Sequence, residues 1–218
     1  MAAPLFAFFG TSVDSRFALE ALKAAGLEPA LVVDTKDLSP DALPELYNTE
    51  WDFFVVASYG KILAKELLDV PKRGAINIHP SLLPKYRGPS PYVSAILADE
   101  RQTGVTLMLM AEKMDAGPII AQARIEIDEA DWPPKGLLLS QMLFTEGASL
   151  LAEILPRWLA GEITPEQQDE SAATYTKKFK DEDARIPEPR LNLGTEEQRE
   201  AFLKIQAFDK SPRAHPRL

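Results

Sequence analysis

Leu5-Phe-Ala-Phe-Phe9-Gly10-Thr11 is a short apolar run that ends at a glycine. From Ser15 to Ala25 the apolar residues Phe17, Ala18, Ala21 and Leu22 then recur at helical spacing before Gly26. This reads as a strand, a turn and a helix. Ala30 to Val33, Asp52 to Ala57 and Ala75-Ile-Asn-Ile78 repeat the short apolar run between polar or Pro-containing segments, as strands of a parallel sheet buried on both faces do. Helical patterns over Ala64 to Val70 and Pro91 to Ala98 supply the alternation. The expected architecture is an α/β, doubly wound, mostly parallel sheet of Rossmann-like type. After residue 103 the pattern changes: Gly104 to Met110 and Ile119 to Ile127 are strand-like and closely connected, which fits an antiparallel β-hairpin. Leu137 to Leu159 predicts an amphipathic helix, mildly interrupted at Gly147 and Pro156, and Glu196 to Ala207 predicts another.

The 218 residues, 45% hydrophobic and 26% charged, suit one full-sized domain with a small appendage. No stretch approaches the ~20 apolar residues of a membrane helix, so no membrane partner is expected. Cysteine is absent, which excludes disulfides, thiolate catalysis and zinc-thiolate sites and makes the cytoplasm the expected compartment. The net charge of −9 argues against wide phosphate coverage of a polyanion. Between positions 61 and 87, however, Lys61, Lys65, Lys72, Arg73, Lys85 and Arg87 face only Glu66 and Asp69, so an anionic partner would be met locally.

There are two histidines, and His215 lies close to the chain end, which leaves His79 as the candidate imidazole. Asn77 and His79 stand two apart at the end of a predicted strand, so their side chains share a face at the edge where open α/β sheets bind ligands. An amide and an imidazolium aimed at one point would stabilise an oxygen that turns negative in acyl transfer. A strand-end amide and a turn-capping histidine fit the same spacing. Asp115 follows the strand Gly104–Met110, and a carboxylate beside His79 could relay a proton; an ordinary turn carboxylate fits the Asp115-Ala-Gly context equally well. Gly10-Thr11 lacks the G-x-G-x-x-G pattern of a dinucleotide turn, no G-x-S-x-G surrounds a serine, and one usable histidine without cysteine makes no metal site.

The run Asn77-Ile-His79-Pro-Ser-Leu-Leu-Pro84-Lys-Tyr-Arg-Gly88, with Asp115 in Met-Asp-Ala-Gly-Pro-Ile-Ile120, resembles the signature of the 10-formyltetrahydrofolate-dependent formyltransferases. Gly10-Thr11, Ser58-Tyr-Gly-Lys-Ile-Leu63 and Thr103-Gly-Val-Thr-Leu-Met108 are similar to the same family. The resemblance implies a formyltransferase fold and 10-formyltetrahydrofolate as formyl donor. It implies that Asn77 and His79 stabilise the formyl oxygen and that Asp115 assists proton transfer. It further implies that Ser81, Leu82, Leu83 and Pro84, with Gly60, Lys61, Ile62, Leu63, Met110 and the loop 111–115, hold the folate. Simple core packing for Leu82 and Leu83 and a turn for Pro84 remain open. Lys85 and Arg87 are candidates for an anionic acceptor or the folate tail, with solvated surface charge as the alternative.

Thr174-Tyr-Thr-Lys-Lys, Asp181-Glu-Asp-Ala-Arg-Ile186 and Ile205-Gln-Ala-Phe-Asp-Lys-Ser-Pro-Arg213 resemble the passage into the second domain of family members that formylate the α-amino group of initiator methionyl-tRNA. The expected organisation is a catalytic domain over 1–170, then a linker and domain remnant over 171–218. Between Val33 and Asp41 only Asp34-Thr-Lys-Asp-Leu-Ser-Pro40 stands where those enzymes carry a longer basic loop. A small amine such as a nucleotide-linked amino sugar is therefore the second candidate acceptor. A formyltetrahydrofolate hydrolase or a folate-binding module is the third reading.

Overall fold

The computed structural model describes residues 3–186 and 195–209. Six strands form one sheet in the order β2-β1-β3-β4-β5-β6: β1 Phe6–Phe9, β2 Leu31–Val33, β3 Phe53–Val56, β4 Ala75–His79, β5 Thr103–Leu109 and β6 Ile119–Ile125. β1 to β4 pair in parallel, and β5 and β6 add an antiparallel edge. The parallel strands read as unbroken apolar runs because helices cover both faces and period-two alternation sends successive residues to opposite cores. Phe6, Phe8, Phe53, Val55, Ile76 and Ile78 enter one core, whereas Ala7, Phe9, Phe54, Val56 and Ala75 enter the other. Phe6 and Phe53 stack on the first face, with ring centroids 5.0 Å apart.

The first core is closed by α1 (Val13–Ala24) through Ala18 and Leu22, by α4 (Pro91–Leu97) through Tyr92 and Ile96, and by the long α5 (Gly136–Leu159). The second is closed by two short helices, α2 (Pro44–Asn48) through Leu46 and α3 (Lys65–Leu68) through Leu67. α1 starts at Val13, two residues ahead of the expected Ser15, because Ser12 caps it in a reciprocal bond with Ser15.

Neither Gly147 nor Pro156 breaks α5. A Cβ at Gly147 would lie 2.4 Å from Cγ2 of Ile78 and 2.8 Å from Cγ2 of Val105, so the missing side chain is what lets α5 rest against β4 and β5. By length and composition alone this helix is apolar enough to cross a membrane, its 24 residues including an 18-residue window of mean hydropathy 1.2. Its apolar content is explained by packing, since Leu139, Leu143, Leu151 and Leu155 are buried in the first core.

The described residues beyond 170 do not stand apart from the rest. Arg87 and Tyr175 form a parallel bridge, and α6 (Thr195–Ala207) brings Leu203 and Ala207 into the first core. The parts of the expectations for 171–218 that fall on positions 187–194 and 210–218, His215 included, lie outside the described residues.

Candidate active site at the carboxyl edge of the sheet

A cavity of about 630 Å³ opens beyond the carboxyl ends of β3 and β4, with Asp14 of α1 also on its wall. Open α/β sheets bind ligands outside the carboxyl ends of their strands. The cavity floor includes Asn77 and His79, which share the face of β4 that carries Ala75. His79 is 4% exposed. Its Nε2 lies 3.1 Å from the Tyr86 carbonyl oxygen, which can only accept, so Nε2 carries a proton and Nδ1 is the nitrogen left to exchange one. Tyr86 holds its carbonyl there with a left-handed backbone, φ 60°.

Asp115 completes the group from the connection after β5. β5 runs antiparallel to β4, so its end meets the far end of β4 from His79, where the Met110 N–H donates to the Ala75 carbonyl at 2.8 Å. The connection 110–118 then turns back over the face bearing Asn77 and His79. Asp115 Oδ1 lies 3.5 Å from Asn77 Nδ2 and 3.7 Å from His79 Nδ1, while Oδ2 accepts the Gly88 N–H at 2.7 Å. One carboxylate oxygen is thus tied to the backbone and the other faces both candidate donors. Asp115 is itself left-handed, φ 50°, a conformation that a non-glycine residue keeps only when its surroundings enforce it.

The cavity walls combine backbone with apolar side chains. Gly60, Lys61, Ile62, Leu63 and Met110 line it, and so do Ala111, Glu112 and Met114 of the connection. Ile62 and Met114 are 69% and 54% exposed, apolar groups left facing the opening. Backbone amides and carbonyls beside apolar walls fit a flat heterocycle with a polar edge.

Ser81, Leu82, Leu83 and Pro84 stand outside the cavity. They form a turn bonded to the antiparallel edge: Thr106 Oγ1 donates to the Ser81 carbonyl at 2.6 Å and accepts the Leu83 N–H at 3.1 Å, and Gln122 Nε2 donates to the Leu83 carbonyl at 2.8 Å. This run supports the chain just after His79. Its leucines follow the core-packing alternative, with Leu83 3% exposed and Leu82 against Gly104. Arg87 is likewise no surface cation. It is 0% exposed, its guanidinium bonds Gln168, Tyr175 and Glu170, and Lys85 pairs with Glu100 at 3.7 Å.

Among the cavity-lining groups without a site signal in the sequence are Tyr92, Phe144, Lys178 and Phe179. Tyr92 and Phe144 sit at core spacing in helical patterns, and Lys178 and Phe179 lie in an irregular polar stretch with no periodic signal. Burial pushes the Tyr92 hydroxyl up to about 12, against an opposing hydrogen bond from Ser140. Glu170 is held down at about 2, chiefly by its bond to Arg87 and then by Lys113. Among the described residues no three His, Asp or Glu side chains converge as a metal site.

Residues 18–141 match the family model described as formyl transferase. The methionyl-tRNA formyltransferase of Chloroflexus aggregans is 46% identical over 181 residues, covering 79% of this chain and 56% of that protein. That of Chloroflexus aurantiacus is 42% identical over 212 residues, covering 82% and 67%. This chain thus spans between about half and two thirds of the length of these relatives. Among solved structures, HypX from Aquifex aeolicus in complex with tetrahydrofolic acid superposes with a TM-score of 0.71 at 21% identity, over 97% of this chain and 35% of that one, a likeness of fold. With the family model matching more than half of its residues, the chain belongs to the formyl transferase family.

Proposed function

We propose that this chain transfers a formyl group from 10-formyltetrahydrofolate to the α-amino group of initiator methionyl-tRNA. The observation that carries the reading is the convergence of Asn77 Nδ2, His79 Nδ1 and Asp115 Oδ1 within 3.7 Å at the edge of a cavity suited to a flat heterocycle. When bound, the folate supplies an activated formyl group on nitrogen. Attack by the acceptor amine forms one C–N bond and breaks another, and negative charge grows on the formyl oxygen between them. Asn77 Nδ2 donates to that oxygen, and so does His79 Nδ1 when protonated, an arrangement whose single members are worth ~2.7–4 kcal/mol in other enzymes. Asp115 Oδ1 is placed to take the proton that the amine sheds and to hold His79 toward the cavity. Gly60 to Leu63, Met110 and Met114 would hold the pterin.

The names and identities of the relatives support the acceptor. Such a reaction belongs to the cytoplasm, where protein synthesis starts. The short segment Asp34–Pro40, with Lys36 as its one lysine, favours a smaller amine as second reading. Purified chain given 10-formyltetrahydrofolate should formylate charged initiator tRNA in preference to an amino sugar nucleotide. Activity on the sugar alone, at high enzyme concentration, would overturn the acceptor. Release of formate to water with neither amine would point to the hydrolase.

A further inference from the structure

Asp115 is held by a residue that sequence reading gave no role and that does not line the cavity. Gln168 Oε1 accepts from Arg87 Nε at 3.0 Å and from Arg87 Nη2 at 2.8 Å. Because a guanidinium only donates, this fixes which end of the amide faces Arg87. The Gln168 amide nitrogen must then point the other way, where it donates to the Asp115 carbonyl at 2.9 Å and the Gly117 carbonyl at 2.8 Å. Both ends of the side chain are in use, one on a buried anchor and one on the loop that carries Asp115.

The anchor is rigid. Arg87 is fully buried and also bonds the Tyr175 hydroxyl at 3.1 Å and Glu170 at 2.9 Å, while its backbone pairs with Thr174 and Thr176. Asp115 adopts its left-handed backbone where the Gln168 amide and the Gly88 N–H grip it from two sides, which leaves Oδ1 as the free oxygen toward Asn77 and His79.

We infer that Gln168 is a positioning residue for the transfer reaction, setting the place of the Asp115 carboxylate through the 115–117 backbone with Arg87 as its anchor. The inference rests on the proposed role of Asp115. Gln168→Glu separates the two ends of the side chain, because a carboxylate still accepts from Arg87 but has nothing to donate to the two carbonyls.

The expected result for Q168E is a thermal midpoint close to the parent and a kcat ~10–100-fold lower, since misplacement of a reacting group by about 1 Å can cost a factor of a hundred. KM for 10-formyltetrahydrofolate and calorimetric affinity for tetrahydrofolate should stay within about twofold, because the cavity is untouched. A folded Q168E with kcat within about twofold of the parent overturns the inference. An inactive parent chain counts against the proposed function alone. The positioning claim is then read from amide exchange at Gly88, whose N–H reports the Asp115 carboxylate directly. Exchange about tenfold faster in Q168E supports the inference, and unchanged exchange overturns it. Q168A, which leaves Arg87 with Glu170 and Tyr175, carries the same two readouts if Q168E does not fold.

Discussion

At 3.5 and 3.7 Å, the separations of Asp115 Oδ1 from Asn77 Nδ2 and His79 Nδ1 are longer than strong hydrogen bonds, so neither donor is saturated by the carboxylate. Both remain available to an oxygen on which charge develops. His79→Ala should therefore lower kcat by about 10²–10³ while tetrahydrofolate binding, measured by calorimetry, changes little. Asp115→Asn keeps an oxygen for the Gly88 N–H and removes the proton acceptor, so it should lose turnover with the fold intact. Wild-type turnover in either variant sinks the assigned roles. Gly88 answers to two constraints at once. Its φ is 112°, and an added Cβ would stand 2.7 Å from Thr176 Oγ1 and 2.9 Å from the Thr176 carbonyl oxygen. Gly88→Ala should cost about 1–3 kcal/mol for the backbone alone, read from urea unfolding, and should loosen Asp115. An unchanged unfolding midpoint would contradict that account.

Among the elements, α5 and the returning segment 166–176 determine how firmly the site is held. Gly147 is the contact point of α5 with Ile78, the residue before His79, and both neighbours of a new Cβ are β-branched and stiff. Gly147→Ala should destabilise the chain by about 1–3 kcal/mol despite its gain in helix propensity, since the helix must shift away from β4. A stabilised variant would show that the contact has slack. Glu170 joins the returning segment to Arg87 and to Lys113, 2.9 and 2.7 Å away. Its folded value of about 2 lies below its ordinary 4.5, so its contribution is complete above pH 4.5 and fades as pH falls toward 2. The difference in thermal midpoint between wild type and Glu170→Gln should therefore be present at pH 6 and narrow over that window. A gap that stays constant to pH 2 would show that the ion pairs contribute nothing. Most elements were legible, because strands buried on both faces and helices with one apolar stripe leave periodic signals. α2 left no pattern beyond Leu46, being a five-residue helix that turns one buried side chain to the core.

For the molecule as a whole, the strand order places the ends of β3 and β4 at one crevice, and the antiparallel edge returns a loop across it. Asn77 and His79 could be read from sequence because a strand fixes their common face two residues apart. The route of Asp115 could not, since it depends on the direction of β5 and on a fold-back that no local pattern encodes. Arg87 and Gln168 were hidden for a related reason: residues 81 positions apart meet only once the chain has closed on itself. Burial made Arg87, a candidate for an anionic acceptor or the folate tail, into an internal anchor, and cross-strand bonding to Thr106 and Gln122 drew Ser81 to Pro84 away from the cavity. The most direct test of the account is single-turnover formyl transfer from 10-formyltetrahydrofolate to methionyl-tRNA by the parent chain and by its Asn77→Ala, His79→Ala and Asp115→Asn variants. The account predicts transfer by the parent and at least about a hundredfold loss in each variant at retained tetrahydrofolate affinity. Transfer at the parent rate by all three would contradict it.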